Sequence, residues 1–66
     1  MQFYVNGESK TLNDNACLID LIESMGLVGK RIAIEVNQEI IPRSQHADYR
    51  IQENDQVEVV HAIGGG

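Results

Sequence analysis

Cysteine is nearly absent from this chain: Cys17 is the only one among 66 residues. A single thiol excludes an internal disulfide and a multi-cysteine zinc site. Cations are scarce too, with five Lys and Arg against ten Asp and Glu, for a formal charge of −5. A duplex phosphate backbone repels such a surface, and so does an anionic bilayer, so neither nucleic acid nor membrane is an expected partner. A basic protein surface is, because opposite charge speeds association. No apolar run approaches the length of a membrane span. The opening "MQFYVNG" alternates like a strand where a signal peptide would run basic and then apolar, so the expected location is cytoplasmic. Also missing are a carboxylate-pair motif, a phosphate-binding loop and a dinucleotide fingerprint. One domain of this size buries only about 60% of the surface its unfolded chain exposes, which leaves little room for an enclosed cleft. The chain is not expected to be an enzyme.

What is present is a clear change of hydrophobic period along the chain. In "QFYVNGESKTL", Phe3 and Val5 share one face of a period-two strand, and Gln2, Tyr4 and Asn6 the other. Asn6-Gly7 suits a type I′ turn, whose central residues need positive φ, and residues 8–12 form the return strand. "CLIDLIESMG" shifts to helical spacing, with Leu18, Leu21, Ile22 and Met25 on one stripe. Asp14 and Asn15 are available to cap it; alternatively Cys17 is the cap and Asp20 completes a weak capping box. Gly26 fits the left-handed residue that stops a helix.

"RIAIEVN" returns to strand period, placing Ile32, Ile34 and Val36 on one side. "NQE" turns into a short edge-like "IIP", ended by Pro42, which removes a ladder donor. "RSQHADY" is irregular or a single helical turn, "QEND" is a turn, and "QVEVVHAI" is a last strand with Val57, Val59 and His61 on one face. The scattered acids, Asp55 among them, are read as solvated faces. His46 and His61 lack ligand spacing, so no metal site is expected.

One helix laid across a mixed sheet of four or five strands gives an α+β, β-grasp layout over residues 1–63, followed by a flexible tail at 64–66. The helix stripe would pack on Phe3, Val5, Leu12, Ile32, Ile34, Val57 and Val59, with the first and last strands parallel at the sheet's centre.

The tail, Gly64-Gly65-Gly66, has the composition of a segment that threads a narrow channel, since glycine lets a backbone pass close to its surroundings. A frayed terminus is the plain alternative, although fraying requires no particular residue. A terminal carboxylate titrates at about 3.3–3.7, so it is ionised near neutrality and a poor electrophile until activated. Adenylation by ATP would make a mixed anhydride open to a sulfur anion or an amine. At the tail's root, Val60, Ala62 and Ile63 form a candidate docking patch, unless Ile40, Ile41 and Tyr49 cover that face. Cys17 is read as a small buried or helix-start residue, with no basic side chain adjoining it.

Taken together, "VNGE", "LIDLIESMGL", "IAIEVNQEIIPRSQ", "END" and the closing "GGG" resemble the ThiS family of sulfur carriers in thiamine biosynthesis, which are ubiquitin-like β-grasp proteins. The chain departs from the family pattern at Cys17, His46 and Asn54, where a hydroxyl cap, an aromatic and a glycine are common. The resemblance implies that an E1-like, ThiF-like adenylyltransferase uses ATP and magnesium to form an acyl-adenylate on Gly66. A persulfide from a cysteine desulfurase relay then converts it to a thiocarboxylate, and a ThiG-like thiazole synthase takes the sulfur. Gly64 and Gly65 would be the leader that threads into partner sites, and no cofactor would be bound by the carrier itself. Other readings are the small subunit of molybdopterin synthase, a ubiquitin-like covalent modifier, and a plain interaction module with an incidental tail.

Overall fold

The computed structural model describes residues 1–61. β1 (Gln2–Val5) and β2 (Glu8–Thr11) form the expected hairpin, with Val5 opposite Glu8. Asn6 and Gly7 have φ of 52° and 84°, as a two-residue type I′ turn requires. Then come α1 (Leu18–Ser24), β3 (Ile32–Val36), β4 (Glu39–Ile41), a 3-10 turn (Arg43–Gln45) and β5 (Gln56–His61). The sheet order is β2-β1-β5-β3-β4. β5 runs parallel to β1, with Val5 opposite Val57, and antiparallel to β3, from Ile32 opposite His61 to Val36 opposite Val57.

Period-two burial along β1, β3 and β5 places Phe3, Val5, Ile34, Val36, Val57 and Val59 beneath the helix, where they meet Leu18, Leu21 and Ile22. Met25, Leu12 and Ile32 are half-buried at the rim of this core. Ile41 and Ile51 complete it. Ile51 lies in no strand or helix, and a long-range contact explains its burial: the Leu18 amide donates to the Tyr49 carbonyl at 3.2 Å and the Ile51 amide to the Ala16 carbonyl at 3.0 Å. These bonds stitch the segment before β5 to the start of the helix, beside a bridge between Cys17 and Arg50.

Of the two capping alternatives, Cys17 is the cap, and its amide donates to Asp20 Oδ2 at 2.9 Å. At the other end Gly26 takes φ 71°. Its amide donates to the Glu23 carbonyl and that of Leu27 to the Ile22 carbonyl, at 3.1 and 3.0 Å, which is the Schellman pairing.

One acid departs from expectation. Asp55 is buried, because its carboxylate accepts from the Gln52 amide at 2.8 Å and from Asn37 Nδ2 at 3.0 Å. Asn37 Oδ1 in turn accepts from the Gln56 amide at 2.9 Å. The turn before β5 is thus tied to the β3–β4 turn through two side chains. His46 is buried as well, donating from Nε2 to the Ile41 carbonyl at 2.9 Å. Among the described residues no buried side-chain polar atom is without a partner.

The β3–β4 turn carries local strain. Asn37 and Gln38 have φ of 52° and 71°, and the left-handed conformation costs a residue with a Cβ about 1–2 kcal/mol. Glycine avoids that cost but loses more chain entropy on folding. Gln38→Gly is therefore expected to stabilise the domain by about 0.5–1 kcal/mol, seen as a higher urea midpoint at unchanged slope. A midpoint that stays or falls contradicts the strain.

The helix start makes stability depend on pH. The Asp20 carboxyl is held below the ordinary aspartate range mainly by the Cys17 amide and next by the Cys17 side chain; slight desolvation opposes this, and the Arg50 charge adds a smaller lowering. A carboxyl whose folded value is lowered stabilises fully above its unfolded value, about 3.9, and loses that contribution as pH falls through the folded value. In urea titrations, wild type is expected to exceed Asp20→Ala in stability at neutral pH, with the gap closing in acid. A gap of constant size from neutral pH to strong acid would contradict the assignment.

Candidate functional site

β5 lies between β1 and β3, so the last described residue, the exposed His61, belongs to the sheet's central strand. Ala62 and Ile63 of the expected patch, and Gly64, Gly65 and Gly66 of the expected tail, lie outside the described residues.

On the β3 flank, pairing continues to the end of β5, where His61 faces Ile32. On the β1 flank, the backbone of β1 stops at the hairpin and a side chain takes its place. The Asn6 amide donates to the Val57 carbonyl at 2.8 Å. Beyond it, the Asn6 carboxamide accepts from the Val59 amide at 2.9 Å through Oδ1 and donates to the Val59 carbonyl at 3.2 Å through Nδ2. Asn6 was legible as a turn residue, but its grip on β5 was not, because the partner is 53 positions away.

Because Val57 and Val59 point into the core, Val60 points to the helix-free face, where it is 55% exposed opposite the exposed Ala33. Ile40 on edge strand β4 is 68% exposed. The alternative in which this face is covered locally does not hold for these residues: Ile41 is buried in the core and Tyr49 packs half-buried against it. Glu35 and Glu58 stand directly opposite each other across β3 and β5, next to Val60 in the strand. Like charges in that relation repel. The face is therefore apolar in places and acidic at its centre, a complement to a basic partner.

The remaining candidates fall into structural roles. Cys17 is buried and starts the helix. His46 spends its Nε2 on a backbone carbonyl, and His61 sits at the far end of β5. Among the described residues no group of three or more His, Cys, Asp or Glu could hold a metal.

One helix packed across a five-stranded mixed sheet, with the first and last strands parallel at its centre, defines a β-grasp protein of the ubiquitin-like kind. The chain belongs to the ThiS family, whose profile matches residues 3–66. It is 33% identical over 63 residues to the sulfur carrier protein ThiS of Bacillus subtilis, covering 94% of this chain and 96% of that one. It is 35% identical over its full length to part of a thiazole synthase from Magnetococcus marinus, of which it spans only 20%. The crystal structure of the thiamine biosynthesis protein (ThiS) from Geobacter metallireducens matches with a TM-score of 0.85 over the whole of both chains, at 23% identity, a likeness of fold.

Burial of Cys17 has a direct consequence. Its thiol is expected to react with a thiol reagent only as fast as the domain opens, and much faster in urea. Rapid labelling of the native protein contradicts the structural role.

Proposed function

We propose that this chain is a sulfur carrier of thiamine biosynthesis that acts through the carboxylate of Gly66 as a co-substrate of other enzymes. An E1-like adenylyltransferase, resembling ThiF, would use ATP and magnesium in its own site. The Gly66 carboxylate oxygen attacks the α-phosphorus, pyrophosphate leaves, and the acyl-adenylate forms. The terminal sulfur of a persulfide, supplied through a cysteine desulfurase, attacks the acyl carbon and expels AMP. A second thiol then cleaves the resulting acyl disulfide, leaving the thiocarboxylate on Gly66 and a disulfide on the donor side. A ThiG-like thiazole synthase takes the sulfur from there.

The observation that carries this reading is that the family match runs through Gly66 itself, taking in all three terminal glycines. The match to one segment of a thiazole synthase supports the choice of acceptor. Two features support it: β5, the last described strand, lies at the sheet's centre, and Gly64 and Gly65 have no Cβ to obstruct a narrow channel. Binding the tail costs about 1–2 kcal/mol of backbone entropy per residue, and more for glycine. Docking of the body through Val60, with Ala62 and Ile63, offsets that cost. No described helix is long and apolar enough to cross a membrane, and the carrier works in the cytoplasm with its partners.

Incubation with the activating enzyme, ATP and a persulfide donor is expected to yield a protein whose intact mass shows one oxygen replaced by one sulfur. Removing Gly66 is expected to abolish that change while leaving the urea midpoint in place. A truncated carrier that still supports thiazole formation, or wild type accumulating as amide conjugates instead, refutes the reading.

A further inference from the structure

The turn at Asn6 requires a residue that tolerates positive φ, and glycine, aspartate and asparagine all meet that need. The turn alone therefore leaves the choice among them open. The contact with Val59 narrows it, because only a carboxamide offers an acceptor to the Val59 amide and a donor to the Val59 carbonyl together. Its position matters more than its strength. β1 ends at Val5, so among the described residues Val59 would have no hydrogen-bonding neighbour on the β1 flank without this side chain. Among the described residues it makes the outermost hydrogen bonds on that flank. Val59 is seven positions before Gly66.

We propose that Asn6 is a positioning residue for tail activation: by clamping Val59 it holds β5 on its β1 flank and so fixes the position of the strand that precedes Gly66 when the activating enzyme binds. This rests on the reading of Gly66 as the activated group. Without the clamp, Val59 is held by β3 alone, through Ile34, as Val60 and His61 already are through Ala33 and Ile32. The activating enzyme must then fix more backbone each time it binds the carrier. That cost falls on complex formation and not on chemistry within the complex, so it appears in KM and leaves kcat nearly unchanged.

The test compares wild type with Asn6→Gly, which keeps positive φ and removes the carboxamide. Asn6→Asp, which keeps the turn and one acceptor, serves if the glycine variant fails to fold. Amide exchange is measured on the carriers alone, and pyrophosphate release with a ThiF-like adenylyltransferase and ATP as carrier concentration is varied. The expected result is faster exchange at Val59, spreading at most to Val60, with KM for the carrier raised about three- to ten-fold and kcat within about two-fold. Unchanged exchange at those amides overturns the clamp, and altered exchange with unchanged KM overturns its role in positioning. If wild type itself releases no pyrophosphate, the sulfur-carrier reading fails and the positioning role fails with it, while exchange still decides whether Asn6 holds β5 at Val59.

Discussion

The structure depends on β5 lying at the centre of the sheet. Among the described residues one seven-residue α-helix has a single apolar stripe to bury, and the sheet must present a continuous surface beneath it. Val57 and Val59 supply the middle of that surface, and they come from the last strand to be made. Until β5 inserts, β1 and β3 have no neighbour in common, and Phe3, Val5, Ile34 and Val36 cannot form one floor. The core and the placement of the last described strand are consequently the same structural fact. An edge strand could have held the valines less securely and would have let its end peel away.

Short strands leave many main-chain groups at their ends, and side chains satisfy several of them. Asn6 extends β1 by one side chain, Asn37 and Asp55 tie two turns together, Asp20 accepts from the Cys17 amide, and His46 donates to the Ile41 carbonyl. Each of these contacts lies where a longer protein would use another strand residue or another turn of helix. In a domain with a thin core, an unmet buried polar group would cost roughly 1–3 kcal/mol, a large share of the whole stability. Asparagine and aspartate also tolerate turn conformations, which lets one residue serve the turn and the neighbouring strand at once.

That double use explains what the sequence does and does not reveal. Phe3 and Val5, or Leu18, Leu21 and Ile22, declare their elements because the pattern is local and periodic, and the turn at Asn6-Gly7 is set by φ alone. Ile51 and Asp55 carry no such pattern; they are buried because the chain before β5 runs against the helix start and the Asn37 turn, contacts that arise only on folding. Met25, Leu12 and Ile32 fit the apolar pattern yet end at the rim, since a small sheet does not extend far enough to enclose them. At the candidate site, the glycines were visible as composition, whereas the Asn6 clamp was hidden behind the turn that already accounted for asparagine at that position.

The helix-free face follows from the same economy of elements. Among the described residues one α-helix covers one side of the five-stranded sheet, so the residues of the other side are not constrained by the core. On that side the chain keeps two features that do not help an isolated domain: Val60 and Ile40 are exposed, and Glu35 and Glu58 repel each other across adjacent strands. A basic, partly apolar partner surface would relieve both at once, gaining apolar burial and neutralising the carboxylate pair. The net charge of −5 is then more than a bulk property, because part of it is concentrated on the open face of the strand that leads toward Gly66. A partner docked on that face would bear on the same strand whose other side carries Val57 and Val59 into the core, so its recognition would depend on the strand that holds the sheet together.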